Sequence, residues 1–359
     1  VRLTKKIILA AGGTGGHVFA AVGVMESLKN EGYEVDLITD RRGLTFVKAA
    51  NFHQIHMCHI NRGKGLWRFL TYPLSLIQKT LSSIFILKRE KPSFIMGFGG
   101  YPTVPPLLAG FLLGIPILIH EQNTFLGKAN RFLGRFAKVI FLSFEGKNQE
   151  MFKNKSQVVG PVVRDFVLSL AELNYQPQDE EGKFNIGVLG GSQGAKILSL
   201  VIPEAVKLLP QDYQSLLKIF HQCRPECIPQ AKKISKSTHS SWEIKPFFND
   251  MKSLYKETQL IIARSGASTL AELALAGKPA ILIPFAGSVE GDQAENANYL
   301  ASREAAIVIE EKNLSPELLA KTINSLLNEP EKLNQLSRNI RLFAKIDTGK
   351  IIAETLKNI

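Results

Sequence analysis

The first residues that could do chemistry are Gly12-Gly13-Thr14-Gly15-Gly16-His17, directly after the apolar run Ile7 to Ala11. Ordering so many glycines is costly, so the backbone there must turn tightly or lie close to a ligand. A glycine turn between strand and helix presents N–H groups at the positive end of the helix dipole, where a phosphate or diphosphate binds. His17 closes the turn, and a neutral imidazole can take a proton near neutral pH. The combination points to a phosphorylated ligand beside a general base. It is not a P-loop, because Lys-Ser/Thr is missing. It also breaks the dinucleotide pattern, which would need glycine where Val18 stands. Asp40 could imitate the ribose-binding acid of a dinucleotide fold, so an NAD(P)-dependent oxidoreductase stays as an alternative.

The turn has a twin. Asn185 to Leu200 reads apolar strand, then Gly190-Gly191-Ser192-Gln193-Gly194-Ala195, then helix. Further polar groups follow apolar runs. Gly97 to Pro102 follows Phe94 to Gly97, and His120-Glu121-Gln122-Asn123 follows Ile115 to Ile119. Arg264 to Thr269 follows Leu260 to Ala263, with Glu272 one helical turn inside, and Gly287 to Asn296 ends in Asp292-Gln293-x-x-Asn296. Helix capping accounts for Ser268 and Thr269. It does not account for four consecutive hydrogen-bonding side chains in His120 to Asn123.

These groups need elements to hold them. Strands are expected at Glu34–Thr39, Phe94–Gly97, Ile115–Ile119 and Lys138–Leu142. In the second half they are expected at Leu216–His221, Leu260–Ala263, Pro279–Ile283 and Ala306–Ile309. Strand–helix alternation argues for parallel sheets with crossover helices. With 359 residues and an internal repeat, the fold class is α/β: two doubly wound, Rossmann-like domains facing a cleft. The boundary is placed at Gly160-Pro161. That gives an N-terminal domain 1–160, a C-terminal domain 161–345, and a last helix, 346–359, that packs on either domain, the N-terminal one included.

Composition narrows the partner. Residues 1–160 hold 21 Lys and Arg against 9 Asp and Glu, which accounts for the whole net charge of +12. A one-sided positive domain expects an anionic partner: nucleic acid, anionic lipid or a phosphorylated substrate. Three cysteines make no disulfide framework, which fits a reducing compartment. Val1 to Lys6 is too short and polar for a signal peptide. Val104 to Ile119 is broken by prolines and glycines and reads as helix, turn and strand, not as a membrane span.

Seven motifs in order carry a family resemblance: GGTGGHV, GFGGYP, HEQN, VVGPVVR, GGSQGA, RSGASTLAE and PF…DQxxNA. From about Lys6 to Ala306 the chain resembles the MurG family of bacterial UDP-N-acetylglucosamine transferases. The resemblance implies a glycosyltransferase B-type fold and conversion of lipid I to lipid II in peptidoglycan synthesis. The C-terminal domain would hold the UDP-sugar, and the N-terminal domain the undecaprenyl-diphosphate acceptor. Thr14, Gly15, Gly16, Asn123, Arg164, Ser192, Phe248 and Gln293 match the family's donor contacts, with Phe248 acting through its backbone. Glu272 matches the carboxylate that accepts the ribose hydroxyls, and Gln193 sits with Ser192 where the UDP diphosphate should lie. Gly13 to His17 form the loop for the acceptor diphosphate. His17 is the candidate base for the acceptor C4 hydroxyl, with Glu121 and Asn123 as rivals. Helix-end dipoles can carry the charge of departing UDP, so no cofactor is required and no metal ligands are assigned; a divalent cation is not indicated. Ala20 and Gly291 depart from the family pattern, which usually has proline and an acidic residue there.

The family's acceptor is a membrane lipid, which implies a peripheral protein at the cytoplasmic face of the cell membrane and no nucleic acid. Leu66 to Leu87 is strongly apolar and flanked by cations. Leu66 to Leu76, with Leu66, Trp67, Phe69 and Leu70, is read as membrane contact, and Ile77 to Leu87 as a core helix. His53, His56, Cys58 and His59 have no helical period that would gather them, and His221, Cys223 and Cys227 lack a second ligand pair, so neither set is read as a metal site. A glycolipid synthase acting on diacylglycerol and a non-catalytic nucleotide-sugar sensor remain as further alternatives.

Overall fold

The computed structural model describes residues 5–47, 50–59, 68–146, 150–163, 165–179, 182–191, 194–288 and 291–359. The chain forms two compact units. The first comprises Val1–Asp165 with Lys345–Ile359, and the second Phe166–Ala344.

The first unit is built on a seven-stranded parallel sheet. Its strands are β1 (Lys6–Ala10), β2 (Glu34–Thr39), β3 (Ile55–Met57), β4 (Phe94–Gly97), β5 (Ile117–Glu121), β6 (Val139–Leu142) and β7 (Ser156–Val158), in the order β3-β2-β1-β4-β5-β6-β7. Strands buried on both faces read as continuous apolar runs. In β1, Ile7 and Leu9 enter one core with Val18, Met25 and Leu28 of the helix Gly15–Asn30. Ile8 and Ala10 point to the other face and meet Leu87, Leu107 and Leu126. The order reverses between β1 and β4, so the turns leaving these two strands frame the switch point where doubly wound sheets bind ligands.

The second unit repeats the plan with six parallel strands: β8 (Phe184–Leu189), β9 (Leu217–Gln222), β10 (Ser241–Lys245), β11 (Leu260–Ala263), β12 (Ala280–Leu282) and β13 (Ile307–Val308). Their order is β10-β9-β8-β11-β12-β13, which puts the switch point between β8 and β11.

Two differences from the sequence reading, in the edge strands and in the end of the first unit, have physical causes, and the last helix takes one of its two expected places. β3, β7 and β10 were not expected. Each is a short edge strand with no fully buried run, so the apolar signal is missing. The first unit also runs five residues past Gly160, because Val162 and Val163 lie against Gly23 of its first helix. The last helix, Thr348–Lys357, adds Ile352, Ala353 and Leu356 to the first unit's core, and Thr348 Oγ1 donates to Val159 O at 2.8 Å.

Candidate functional site

In the first unit, Thr14 caps the helix Gly15–Asn30 in extended backbone, and its side chain makes no capping bond. First-turn N–H groups have no acceptor within their own helix, so those after Thr14 are disposed to meet an anion. Gly13 is different. Its N–H donates to Asp40 Oδ1 at 3.1 Å, so within the expected diphosphate loop it is held by protein. Asp40 Oδ1 also accepts from Gly43 N at 2.7 Å, and Oδ2 from the Tyr101 hydroxyl at 2.9 Å. Asp40 is fully buried. It braces the glycine turn and is not an exposed ribose-binding acid, which removes the support for the dinucleotide alternative.

His17 sits in the first helical turn. Its Nδ1 lies 3.2 Å from Gly12 O and 3.1 Å from Thr14 Oγ1. The loop after β4 closes over the ring. A Cβ on Gly100 would lie 3.1 Å from His17 Nδ1, and one on Gly99 would lie 3.3 Å from Nε2. Both glycines also hold positive φ, +76° and +91°, so this loop is glycine for two reasons.

The motif His120 to Asn123 corrects the expectation of four polar groups beyond a strand end. β5 starts two residues later than expected and runs through Glu121. His120, Glu121 and Gln122 are buried, and Asn123 is half-buried. Burial holds the His120 imidazole down at about 3, so it stays neutral. Gln122 Nε2 lies 3.0 Å from His120 Nδ1. Glu121 Oε1 accepts from Asn123 N and Nδ2 at 3.0 and 3.1 Å, and Oε2 from Gly127 N and Asn130 Nδ2 at 3.0 and 2.9 Å. Burial pushes the Glu121 carboxyl above the usual carboxylate range, against the pull of these donors. The motif is largely an internal brace that fixes Asn123.

In the second unit, Gly190 and Gly191 leave β8, and Ser192 and Gln193 lie outside the described residues, as does Arg164. A residue not foreseen from sequence holds this turn. Gln222 at the end of β9 accepts from Gly190 N at 2.9 Å and donates to Gly191 O at 3.0 Å. Glu272 lies on the helix Ala267–Ala276, and its Oε2 accepts from the Tyr255 hydroxyl at 3.1 Å. Tyr255 is fully buried, so it fixes Glu272 from the core side. Gln293 Oε1 accepts from Phe285 N at 3.0 Å, and Ser265 Oγ donates to Gln293 O at 2.7 Å. The Phe248 ring is buried beside Phe220, 6.3 Å between centroids. Gln222 and Tyr255 carried no sequence signal because they sit outside the glycine-rich motifs.

Leu66 and Trp67 lie outside the described residues, and Phe69 and Leu70 are described by backbone alone, in the first turn of the helix Arg68–Glu90. The later part of that helix corrects the core expectation. Leu87 is buried, but Leu74, Ile77, Leu81 and Phe85 are 67%, 59%, 53% and 73% exposed. Their spacing of three and four residues makes one outward apolar stripe. Phe111, Leu112 and Phe132 in the same unit are exposed as well. Among the described residues no helix is long and apolar enough to cross a membrane.

Two domain families match the chain: the glycosyltransferase family 28 N-terminal domain over residues 7–142 and its C-terminal domain over 185–350. With two parallel α/β units and a glycine turn at each switch point, the protein is a glycosyltransferase of the B-type fold. The chain is 40% identical over 358 residues to the UDP-N-acetylglucosamine–N-acetylmuramyl-(pentapeptide) pyrophosphoryl-undecaprenol N-acetylglucosamine transferase of Brucella canis, covering 98% of this chain and 94% of that one. The Brucella melitensis protein of that name is 39% identical over the same shares. The crystal structure of Acinetobacter baumannii MurG superposes with a TM-score of 0.83 at 30% identity, over 99% of this chain and 100% of that one. The chain belongs to the MurG family. A UDP-N-acetylglucosamine 2-epimerase from Neisseria meningitidis, TM-score 0.68 at 14% identity over 99% and 100% of the two chains, shares the fold alone.

Proposed function

We propose that the chain transfers N-acetylglucosamine from UDP-N-acetylglucosamine to the C4 hydroxyl of the muramyl sugar of lipid I, giving lipid II with inversion at the anomeric carbon. His17 takes the hydroxyl proton as the oxygen attacks the face opposite UDP. The observation that carries this reading is the contact of His17 Nδ1 with Gly12 O. In the tautomer this reading requires, Nδ1 carries the proton and donates to that carbonyl oxygen, with the Thr14 hydroxyl oxygen able to accept from it as well, and Nε2 keeps the lone pair a base needs. Glu121 is read as a positioning residue, since both its oxygens already accept two N–H groups each.

Gly15, Gly16 and the N-terminal turn of the first helix take the acceptor diphosphate, and Thr14 and Asn123 reach the donor. In the second unit, Ser192 and Gln193 take the UDP diphosphate, Glu272 the ribose, the Phe248 backbone the uracil, and Gln293 the sugar. Helix-end dipoles stabilise departing UDP, so the reaction needs no metal. The protein works peripherally at the cytoplasmic face of the membrane, docking through the stripe Leu74, Ile77, Leu81 and Phe85, with Lys88 and Arg89 at its end meeting anionic lipid. The test is transfer of labelled N-acetylglucosamine to a lipid I analogue by the purified chain with a chelator present. Product forms if the reading holds, and no product overturns it.

A further inference from the structure

Arg264 opens the motif Arg264 to Thr269, yet the transfer reaction gives it no part. It stands directly after β11 and is buried. Its Nη1 donates to Ile283 O at 3.0 Å and to Glu311 Oε2 at 2.8 Å. A buried guanidinium needs such partners, so the ion pair explains why a carboxylate stands there. It does not explain the second bond that the same oxygen accepts. Ala286 N donates to Glu311 Oε2 at 3.0 Å. Glu311 begins the short turn Glu311–Asn313 beyond β13. One carboxylate oxygen thus joins the segments that follow three strands: Arg264 after β11, Ala286 after β12, and Glu311 itself after β13.

The segment held in this way carries Phe285. Its N–H donates to Gln293 Oε1 at 3.0 Å. Its ring faces the Arg264 guanidinium, with Cζ 5.3 Å from the ring centroid. The next peptide N–H is the one that Glu311 accepts. Phe285 is therefore held on three sides, although it is exposed. This matters for Gln293. A backbone N–H only donates, so the amide oxygen of Gln293 faces Phe285 and the two amide N–H donors are left for a ligand. The backbone of Gln293 is held as well: its O accepts from Ser265 Oγ at 2.7 Å, and its N donates to Asp292 Oδ1 at 2.9 Å.

We propose that Glu311 is a positioning residue for the sugar of the donor, acting through Phe285 on the Gln293 amide. The assignment rests on the reading of Gln293 as the sugar contact. Glu311 sets the peptide after Phe285, Phe285 N sets the Gln293 amide, and that amide donates to the sugar hydroxyls. A carboxylate suits the place because it must accept from a cation and from a peptide N–H at once. The UDP part is held by other braces, Tyr255 behind Glu272 and Gln222 behind the turn after β8. Glu311 therefore acts on the sugar and not on UDP.

The test is calorimetry on the full chain with UDP and UDP-N-acetylglucosamine in turn, beside steady-state transfer. Glu311→Met keeps the length of the side chain and removes both accepted bonds, and Glu311→Ala is a second loss variant. Each should weaken UDP-N-acetylglucosamine about tenfold and UDP less than about twofold, with KM for the UDP-sugar rising and kcat little changed. Glu311→Gln keeps an oxygen for Ala286 N and should bring binding back to within about threefold of wild type. Gln293→Ala should weaken the UDP-sugar selectively, and adding Glu311→Met to it should weaken binding no further. Equal losses for both ligands in the loss variants would overturn the assignment, because UDP binding reports the fold of this unit. Wild-type affinity for the UDP-sugar in those variants, or full additivity with Gln293→Ala, would overturn it as well. Wild-type UDP-sugar binding in Gln293→Ala would instead overturn the reading of Gln293, and this assignment with it.

Discussion

His17 Nδ1 and the carbonyl oxygen of Gly12 face each other at 3.2 Å, across the glycine turn that leaves β1. The contact suits a proton on Nδ1, and the loop after β4 crowds the ring from the other side. Gly100 is the tightest point of that loop, with positive φ and a Cβ that would crowd Nδ1 at 3.1 Å and Gly12 O at 3.2 Å. Gly100→Ala should therefore displace the imidazole. We expect kcat to fall about tenfold or more, with UDP-N-acetylglucosamine binding by calorimetry nearly unchanged. Wild-type kcat in this variant would mean that the ring position does not matter.

Tyr255 donates to Glu272 from within the core. Tyr255→Phe removes that one bond and keeps the packing. A hydrogen bond to a carboxylate contributes about 1.5–3 kcal/mol, so KM for the UDP-sugar should rise about tenfold or more while kcat holds. A fall in kcat at constant KM would assign Tyr255 to the chemical step instead.

Asp40 joins Gly13, Gly43 and Tyr101. Tyr101→Phe should cost about 1.5 kcal/mol of stability in urea unfolding, and Asp40→Ala about 3 kcal/mol or more, because it strands buried donors. The double variant should cost less than the sum, since one bond is counted in both. Strict additivity would show that the brace is not a unit.

Two buried histidines make stability depend on pH. Burial holds His120 at about 3 and His221 at about 4, against an ordinary 6.5. Between those values the unfolded chain binds protons that the folded chain does not. Their contribution is therefore intact above about pH 6.5 and is lost as pH falls, by about 1.4 kcal/mol per unit for each ring. Urea midpoints should drop from pH 7 to pH 5, and His221→Phe should flatten the drop. A slope unchanged by that substitution would remove His221 as a source.

Much of this was legible in the sequence, and the misses share a cause. Buried strands such as β1 and β8 announce themselves as apolar runs ending in glycine turns. The edge strands β3, β7 and β10 have mixed patterns and do not. Periodicity showed that Ile77 to Leu87 is apolar, but not which way the helix faces. Ser75 and Ser83 turn inward while Ile77, Leu81 and Phe85 turn out. Asp40 reads as an exposed acid because two of its partners, Gly13 and Tyr101, lie far off in sequence, and Glu121 because its partners are backbone and amide N–H groups that carry no sequence pattern.

The outward stripe makes a prediction of its own. Leu81→Ser with Phe85→Ser should weaken binding to anionic liposomes at least tenfold, since each large apolar side chain buried in lipid is worth about 1.5–3 kcal/mol. UDP binding should be spared. Exchange of Trp67 and Phe69 for polar residues should act in the same direction. Unchanged liposome binding in both pairs would mean that another surface docks.

The central claim is that His17 removes the acceptor proton. The most direct measurement is steady-state transfer from labelled UDP-N-acetylglucosamine to a lipid I analogue, with wild type and His17→Ala side by side. Wild type should form product, and the variant should lose about 10²- to 10⁴-fold in kcat with KM for the donor little changed. Near-normal kcat in His17→Ala would contradict the claim and return the base to another residue.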